Sequence, residues 1–368
     1  MTINESLLQK GEKIILSLRE LYARQGYAPY RMSKFEEYDL YARNKDFLIS
    51  DSVITFTDLD GKLMALKPDV TLSIVKNTRD EPGIRKLFYN ENVYRVSKGS
   101  HGFKEITQVG LEAIGEIDEY CIYEVLKLAA ESLSCTQKSC ILEISHLGLL
   151  SDAIRHAGIP QEEQKAVIRR IGEKNLHELQ GICDRLGVSP EAAKLLCSLA
   201  GLYGTAEEVL PKVQSLLGGI AREEELSRFQ RILSALSSGK YGSLVRIDFS
   251  AVSDPQYYNG FIFKGFAQGI PAAVLSGGQY DSMMKKMKRR SGAIGFAVYL
   301  DILEQYAPAE TEYDIDTLLL YDDSCSISEI EAKAKQLTGS GESILLQRQI
   351  PPGLRCRQIV TMEKGGAE

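Results

Sequence analysis

Residues 87–115 have the sequence LFYNENVYRVSKGSHGFKEITQVGLEAIG, and this stretch decides the fold class. Two runs, 87–94 and 109–115, are rich in apolar, aromatic and β-branched side chains, which favours strands. The residues between them are mostly polar, so the stretch predicts two antiparallel strands joined by a polar loop. The pair therefore indicates a sheet built from hairpins.

The elements around this pair extend the same pattern. Apolar residues at helical spacing predict a first helix over 5–25 with Gly26 as its stop, and Asp60-Gly61 is a turn signal between two strand-like runs. The other predicted elements are strands at 54–57 and 63–66, a helix from Thr71, a helix at 118–133, strands at 141–144, 244–249, 261–266 and 272–275, and a strand or turn continuing into a helix over 292–303. Helices that interrupt hairpins, without strict β-α-β alternation, indicate an α+β fold.

Two further segments differ from this body. Residues 159–240 are dominated by Glu, Gln, Leu, Ala and Arg and lack strand-like runs, which predicts an all-helical insertion of four or five helices. The tail predicts a small α/β unit with strands at 317–321 and 343–347 and a helix at 327–337. The expected domains are a core formed by 1–158 and 241–308, the helical insertion 159–240, and a small C-terminal domain 311–368.

Composition excludes several classes of protein. The 368 residues carry 44 Lys and Arg against 50 Asp and Glu, and a net charge of −6 argues against a broadly basic nucleic-acid binder. No apolar run is long enough for a membrane span, and the polar N-terminus lacks the features of a secretory signal. The seven cysteines form no Cys-x-x-Cys pair and the four histidines are scattered, so we expect reduced thiols, no metal site and a cytoplasmic location.

Polar motifs beside the predicted strands supply candidate binding residues. In the segment 67–71, Asp69 and Thr71 could hold an amine or hydroxyl of a ligand. The alternative is that Asp or Thr simply caps the N-terminus of the following helix. The basic run 285–290 has two interpretations as well, a solvated loop or a patch for a phosphate or a partner.

A second candidate group lies on the opening strand pair. Gln108, Gly110 and Glu112 are two residues apart, so they share one face of the second strand. Arg95 ends the first strand and could converge with them on one polar site, where an arginine can grip a carboxylate or phosphate with two parallel hydrogen bonds. The alternative is an ion pair between the strands at the surface.

Two aromatic motifs follow the insertion. Tyr257-Tyr258-Asn259-Gly260 leads into one predicted strand, and the segment 277–281, Gly-Gly-Gln-Tyr-Asp, follows another. Paired glycines after a strand allow a tight turn or a close approach of the backbone to a ligand. Taken singly, a turn explains them.

The order of these motifs is more specific than any one of them. A hairpin, Pro-Asp-x-Thr, Tyr-Arg, Gln-Val-Gly-x-Glu, a helical insertion, Tyr-Tyr-Asn-Gly, Gly-Gly-x-Tyr-Asp and Gly-Phe-Ala-Val-Tyr-Leu-Asp follow one another over about 5–305. This order resembles the core of the class II histidyl-tRNA synthetases. The resemblance implies a class II aminoacyl-tRNA synthetase-like antiparallel sheet of six or seven strands flanked by helices, and a homodimer formed through the core.

By position, the resemblance implies a pocket for L-histidine. Asp69 and Thr71 match the residues that hold its α-amino group, and Arg95 matches the arginine that meets its carboxylate and the ATP α-phosphate. Tyrosines and polar residues of the later motifs would contact or line the imidazole side. The full set of expected ligand-binding residues is Asp69, Thr71, Arg95, Gln108, Glu112, Tyr257, Tyr258 and Tyr280.

Several departures from the synthetase pattern remove cations that would contact ATP. Ser253 stands where the family has an arginine, and Ile302 stands where motif 3 has the arginine on the γ-phosphate. The motif 2 loop, 96–104, is short and without arginine, and Ser33 replaces the motif 1 proline. Because a preorganised donor typically contributes ~3 kcal/mol to transition-state stabilisation, we expect no adenylation and no catalytic residue.

A synthetase core with these losses and a short tail resembles the family of ATP phosphoribosyltransferase regulatory subunits. That family is non-catalytic and assembles with the short-form catalytic subunit, which makes phosphoribosyl-ATP in the first step of histidine biosynthesis. The resemblance implies an allosteric role in histidine feedback, with the catalytic subunit, a second copy of the chain and L-histidine as partners and with no cofactor. Lys67 and Lys264 depart from that family too, where an arginine and an acidic residue are usual.

Other functions stay open at this stage. A residual amino-acid-activating enzyme would show histidine-dependent exchange between pyrophosphate and ATP, which the missing arginines argue against. A translation-control module would bind tRNA through 285–290, although the acidic total charge argues against it. A synthetase-like orphan protein with a different protein partner is the third alternative.

Overall fold

The computed structural model describes residues 8–44, 53–96, 102–136, 139–252, 257–306, 313–339 and 342–362. The chain divides into two compact units, Met1–Tyr306 and Ala307–Glu368. The helices of the first unit are α1 Lys10–Arg24, α2 Tyr38–Arg43, α3 Thr71–Asn77, α4 Glu119–Thr136, α5 Leu147–His156, α6 Gln161–Gly172, α7 Leu176–Arg185, α8 Pro190–Ala200, α9 Ala206–Leu217, α10 Glu223–Ser237, α11 Asp281–Lys286 and α12 Leu300–Gln305. Its strands are β1 Ala28–Pro29, β2 Phe35–Glu37, β3 Thr55–Thr57, β4 Leu63–Leu66, β5 Ile84–Val96, β6 Phe103–Gly115, β7 Cys140–His146, β8 Tyr203–Gly204, β9 Val245–Asp248, β10 Phe261–Ala267, β11 Leu275–Gln279 and β12 Gly292–Tyr299.

A nine-stranded sheet in the order β1-β5-β6-β12-β11-β10-β7-β9-β8 carries the described part of this unit. Every neighbouring pair from β5 to β7 is antiparallel, which confirms the class II synthetase-like sheet. The pairs β1-β5 and β7-β9 are parallel and were not predicted. Strands β2, β4 and β3 form a separate antiparallel sheet around the predicted turn.

The predicted pair of strands at 87–115 is confirmed, and each strand is longer than its apolar run. β5 and β6 have thirteen residues each and pair along their full length, from Ile84 opposite Gly115 to Val96 opposite Phe103. The polar residues at the far ends of β5 and β6 therefore belong to the strands as well, because the ladder of hydrogen bonds continues beyond the apolar stretch. Most of the predicted loop lies outside the described residues.

The two faces of this sheet bury different sets of side chains. On one face, α1 and α4 pack over residues such as Phe88 and Leu111, and Tyr22 Oη lies 2.9 Å from Ser132 Oγ where the two helices meet. On the other face, α2 and α3 form a smaller apolar cluster around Tyr89. Because alternate residues of a strand point to opposite faces, the polar residues of β6 lie on the α3 side.

The insertion is helical, as predicted, and contains the five helices α6 to α10. One short strand was missed there, since Tyr203–Gly204 pairs with β9 at the sheet edge. Two residues are too short to leave a pattern in the sequence. Helix α10 also joins the insertion to α4 through an ion pair of 2.7 Å between Arg231 and Glu119.

The prediction for β11 was wrong at both ends. The strand is Leu275–Gln279 rather than 272–275, so the paired glycines lie inside the strand and not in a turn after it. A Cβ on Gly277 would collide with the side chain of Phe296 on the neighbouring strand, and one on Gly278 would lie 2.6 Å from the ring of Tyr258. Glycine is required here for close packing within the sheet.

The second unit contains a small parallel sheet. Its elements are β13 Ile315–Leu320, α13 Ile327–Thr338, β14 Ile344–Gln347 and β15 Cys356–Thr361, with strand order β14-β13-β15. The first three were predicted, and β15 was missed because the apolar residues of its sequence, Cys-Arg-Gln-Ile-Val-Thr, neither alternate regularly nor form a continuous run. Among the helices of the described chain, none combines the length and apolarity that crossing a bilayer requires.

Candidate functional site

All eight residues predicted to bind a ligand line one cavity on the α3 side of the large sheet. Its free space is about 370 Å³, open solvent at the mouth included. The complete lining is Asp69, Thr71, Tyr89, Arg95, Gln108, Glu112, Tyr257, Tyr258, Ser276, Tyr280, Gly295, Phe296, Ala297 and Tyr299. The cavity thus brings together residues that are far apart in the sequence. The ligand that binds there stays a prediction.

Glu112 is the centre of the cavity's hydrogen bonding. It lies on β6 and is 2% exposed. Thr71, the first residue of α3, donates its hydroxyl to Glu112 Oε1 at 2.8 Å. Tyr280, just before α11, donates to Oε2 at 2.6 Å. Two hydroxyl donors hold the carboxyl group in one orientation within the sheet face.

Gly295 makes room for this carboxyl group. It lies opposite Glu112 in the β6–β12 register. A Cβ at position 295 would collide with Glu112 Oε2 and with the carbonyl oxygen of Leu111. Any side chain on Gly295 would therefore displace the carboxyl group from its two hydroxyl donors.

The environment of Glu112 changes its acidity. Burial raises its pKa from the usual value of 4.5 to about 8, against the opposing effect of the hydrogen bonds from Tyr280 and Thr71. The nearby charge of Asp69 raises it further. At neutral pH, Glu112 therefore carries a proton in most molecules of the empty protein.

Asp69 and Arg95 form the second half of the cavity. Asp69, one residue before the N-cap Val70, accepts a hydrogen bond of 2.9 Å at Oδ1 from the backbone N–H of Leu72 in the first turn of α3, and it also faces the cavity. Burial raises its pKa, against the effect of the Leu72 N–H and the Arg95 charge. Asp69 therefore agrees with both interpretations of the segment 67–71, because it bonds the first turn of the helix and also lines the cavity.

Arg95 is half-buried and turned towards the segment that carries Asp69. Its Nε donates to the carbonyl oxygen of Pro68 at 3.1 Å. Its Nη2 is buried and has no hydrogen-bond partner within the described chain. Arg95 lies opposite Lys104 in the ladder, and the ion pairs of the described residues do not include one to Glu112. A guanidinium nitrogen without a partner beside a cavity is suited to an anionic group of a ligand.

Three tyrosines form an aromatic part of the cavity lining. The rings of Tyr257 and Tyr258 lie 4.5 Å apart edge to face, and Tyr280 lies 6.2 Å from Tyr257. Burial raises the pKa of all three phenols well above its ordinary value. They therefore stay neutral and present aromatic surface together with hydroxyl groups.

Further lining residues were missed by the sequence analysis. Tyr89, Ala297 and Ser276 lie in one row across the sheet with Gly110, and Tyr299 lies opposite Gln108. The signal was present for Tyr89, which lies on the predicted strand 87–94, but Ser276 lies outside the predicted strand 272–275. The correct strand register was needed to use it.

The departures from the synthetase pattern have defined positions where the structure describes them. Ile302 lies on α12, half-buried against the main core. Lys67 is fully buried, with its Nζ 2.8 Å from Glu91 Oε2, and Lys264 Nζ donates to the carbonyl oxygen of Val252 at 3.1 Å. The Ser33 hydroxyl accepts from the Phe35 N–H at 3.1 Å. Ser253 and residues 97–101 of the motif 2 loop lie outside the described residues.

The basic run is partly engaged within the protein. Arg289 Nη2 donates to the carbonyl oxygens of Val75 and Lys76 at the end of α3, at 3.1 and 3.3 Å. The backbone N–H of Arg290 donates to Asp80. In the part of the chain that the structure describes, His, Cys, Asp and Glu form no group of three that could hold a metal ion.

Comparison with known proteins identifies relatives of this sequence and fold. The profile of the histidyl-tRNA synthetase family matches residues 3–303. A protein from Oceanobacillus iheyensis named ATP phosphoribosyltransferase regulatory subunit is 23% identical over 93% of this chain and 85% of its own length.

Two solved structures share the fold. An ATP phosphoribosyltransferase regulatory subunit/histidyl-tRNA synthetase from Bacillus halodurans superimposes with a TM-score of 0.74 at 22% identity, over 96% of this chain and 93% of that one. A chain of the ATP phosphoribosyl transferase (HisG:HisZ) complex from Thermotoga maritima gives a TM-score of 0.62 at 20% identity, over 81% of this chain and 97% of that one.

Proposed function

The chain belongs to the histidyl-tRNA synthetase family, and from that premise we propose that it is a non-catalytic regulatory subunit of a short-form ATP phosphoribosyltransferase. The names of the relatives support this assignment. In the proposal the chain forms a homodimer through its core, binds the cytoplasmic catalytic subunit and contributes to feedback by L-histidine.

The observation that carries the proposal is a polar cavity in a chain that has an isoleucine at position 302, where the resemblance places an arginine for the ATP γ-phosphate. Asp69, Arg95 and Glu112 line the cavity, while position 302 holds an isoleucine packed against the core. An apolar side chain cannot stabilise charge on a transferring phosphate. The site is thus suited to holding an amino acid rather than to activating it.

In the proposal, histidine binds among the polar groups of the cavity in one orientation. Its carboxylate would accept hydrogen bonds from the free Nη2 of Arg95, and its ammonium group would face Asp69 and Thr71. Its imidazole would lie between Glu112 and the tyrosines, with Gln108 beside it. This orientation pairs each charged group of the amino acid with an opposite charge.

Nucleic acid is not part of the proposal. The basic run 285–290 is the dense cluster of cations in the sequence, and Arg289 is held by the backbone of α3. A protein with a net charge of −6 also lacks the broad positive field that non-specific nucleic-acid binding requires.

The test is reconstitution with the short-form catalytic subunit from the same organism. We expect the two chains to co-purify, and phosphoribosyl-ATP formation to rise from near zero when this chain is added. The chain alone should give neither phosphoribosyl-ATP nor histidine-dependent exchange between pyrophosphate and ATP. Failure to co-purify with no gain in activity would refute the regulatory role, and exchange activity would replace it with amino-acid activation.

A further inference from the structure

Resting on the proposed function, we infer that the exposed cations at the end of α11 dock an acidic surface of the catalytic subunit. We call these cations, Lys285, Lys288 and Arg290, the basic ridge. They belong to the run 285–290, and none of them lines the polar cavity. The occupant of the ridge is a carboxylate-rich protein surface outside this chain.

The ridge is the outer side of an element whose inner side is buried. Met283 and Met284 are 0% and 1% exposed, and Met287 packs against the same apolar cluster under α3. The three ridge side chains are exposed instead, and none of them forms an ion pair within the described chain. Charged side chains that are exposed and unpaired are available to a partner.

The main chain beneath the ridge is fixed by hydrogen bonds. Arg289 Nη2 donates to the two carbonyl oxygens at the end of α3, at 3.1 and 3.3 Å. The backbone N–H groups of Arg290 and Ser291 donate to the carboxylate of Asp80, at 3.2 and 3.4 Å. A surface that is held in place before association loses less conformational entropy when a partner binds.

Lys288 has a backbone conformation that glycine normally adopts. Its φ is 60°. The N–H of Lys288 donates to the carbonyl oxygen of Lys285, and the N–H of Arg289 donates to that of Met284, both at 2.9 Å. These two bonds form the Schellman motif that ends α11, in which the residue at the Lys288 position is usually glycine. A side chain at this position strains the backbone, because the left-handed conformation crowds its Cβ.

Comparison with the other left-handed lysine makes Lys288 unusual. Among the described residues, Lys174 is the second one that is not glycine and has a positive φ, of 51°. Its ammonium group lies 2.9 Å from Asp248 and 5.2 Å from the centre of the Tyr203 ring. An internal contact therefore accompanies the strained conformation of Lys174, whereas Lys288 has no such contact in the described chain. Strain without an internal contact points to a role outside the chain.

The surface beside the ridge has the opposite charge, which sets the orientation of the partner. Arg290 borders a groove whose lining includes Glu81, Glu116, Asp118 and Asp281, and it is the one cation among the described lining residues. A partner that places carboxylates on the ridge therefore places a neutral or basic segment over the groove. Complementary charge patterns of this kind steer association and fix orientation.

The arrangement favours an acidic protein surface over a single phosphate group or a nucleic acid. A phosphate site needs donors that converge on one point. The Arg289 guanidinium and the N–H groups of Arg290 and Ser291 are instead engaged within the chain. A net charge of −6 also opposes approach of a polyanion, whereas a local acidic patch on a protein meets only the ridge.

The test measures the Kd between this chain and the purified catalytic subunit by surface plasmon resonance in low and high salt. Lys285→Glu/Lys288→Glu places like charges against the acidic surface, so we expect a Kd at least about tenfold weaker in low salt. The difference should shrink in high salt, because the Debye length falls. Lys194→Glu/Lys212→Glu makes the same charge change at exposed lysines of α8 and α9 and should leave the Kd unchanged.

Lys288→Gly separates docking from folding. Glycine relieves the left-handed strain, so the midpoint of thermal unfolding should rise. The same change removes a ridge cation, so the Kd for the catalytic subunit should weaken by about two- to fivefold. Lys288→Arg keeps the charge and should bind as tightly as the unmodified chain. A residue with a structural role alone would change the unfolding midpoint without changing the Kd.

An unchanged Kd for Lys285→Glu/Lys288→Glu would overturn the inference, and so would an equal loss in the Lys194→Glu/Lys212→Glu control. Charge reversal that alters the sedimentation of the chain alone, or that abolishes binding of tRNA, would assign the ridge to a second copy or to nucleic acid instead. If the double variant fails to fold, an unchanged Kd for Lys288→Gly decides against the inference.

The unmodified chain distinguishes failure of this inference from failure of the proposed function. Absence of any binding to the catalytic subunit would overturn both. Binding and activation by the unmodified chain, with a Kd that the ridge variants do not change, would overturn the inference and leave the proposed function standing.

Discussion

At the scale of single residues, the cavity contains two buried carboxyl groups, and Glu112 forms no ion pair within the described chain. Glu112 and Asp69 are 2% and 7% exposed, and burial raises the pKa of both. Such groups are costly to the folded state unless a ligand compensates them. Stability and ligand binding should consequently respond to the same substitutions.

Glu112→Gln should flatten part of the pH dependence of stability. The folded protein keeps a proton on Glu112 up to about pH 8, whereas the unfolded chain loses it above about pH 4.5. Because the native state binds more protons between these values, the free energy of unfolding falls as the pH rises, by at most about 1.4 kcal/mol per pH unit. In urea unfolding at pH 5, 6, 7 and 8, the stability of Glu112→Gln relative to the unmodified chain should increase as the pH rises. Parallel curves would contradict a raised pKa for Glu112.

Gly295→Ala should damage the cavity and the sheet together. The new Cβ would collide with the backbone of Leu111 as well as with the Glu112 carboxyl group, so relaxation of one flexible side chain cannot relieve it. We expect a loss of about 1–3 kcal/mol in the free energy of unfolding and weaker histidine binding. The control is Gly181→Ala in the interior of α7, where no atom lies near the new Cβ and alanine should stabilise the helix by up to about 1 kcal/mol. Equal effects at both positions would refute the steric role of Gly295.

At the scale of secondary structure, the segment 67–71 connects the small sheet to the cavity. Lys67 pairs with Glu91 on β5, Pro68 accepts from Arg95, and Thr71 bonds Glu112 on β6. Glu91 also accepts from the backbone N–H of Met32 at 3.3 Å. These contacts fix the start of α3 against the strand pair and so position the lining residues.

Lys67→Met should loosen this segment by leaving Glu91 without its partner. Since Glu91 keeps 15% exposure, we expect a loss of about 1–3 kcal/mol in stability, below the cost of breaking a fully buried pair. The double variant Lys67→Met/Glu91→Gln should recover part of that loss, because no unpaired charge remains. Lys67→Arg keeps the charge and is the matched control. Additive losses in the double-mutant cycle would show that the pair is not coupled.

Most elements could be predicted from the sequence because their signals are local. The helix α1 ends before Gly26, which has a φ of 79°, and the hairpin β3-β4 turns around Asp60-Gly61 as the residue types indicate. The bounds of strand β11 were predicted wrongly because its glycines are required by close packing against Phe296 and Tyr258, which are remote in sequence. The pattern of residue types along the chain does not show which remote side chains will pack against a strand.

At the scale of the whole molecule, motif order predicted the antiparallel sheet and the residues that meet in the cavity. The parallel pairs β1-β5 and β7-β9 were missed: β1 has only two residues, and the pairing of β7 with β9 is decided by tertiary packing rather than by the sequence of either strand. Tyr89, Ser276 and Tyr299 were missed because their side-chain direction depends on register rather than on residue type. The eight candidate ligand-binding residues were identified from the sequence, whereas the strand residues that complete the cavity lining were not.

A regulatory subunit must also let the ligand distinguish between assemblies. Histidine can inhibit the complex only if it binds the inhibited state more tightly than the active state. If histidine binds within this chain, changing one cavity residue should shift the histidine concentration needed for inhibition and leave activation of the catalytic subunit intact.

The most direct test is a histidine titration of phosphoribosyl-ATP formation by the reconstituted complex, with the unmodified chain and with Glu112→Gln. Both chains should activate the catalytic subunit to a similar rate without histidine. Inhibition of the Glu112→Gln complex at pH 8 should then require a histidine concentration shifted at least severalfold from that of the unmodified complex. Identical inhibition curves would contradict the cavity as the feedback site, and absence of activation by either chain would contradict the regulatory role itself.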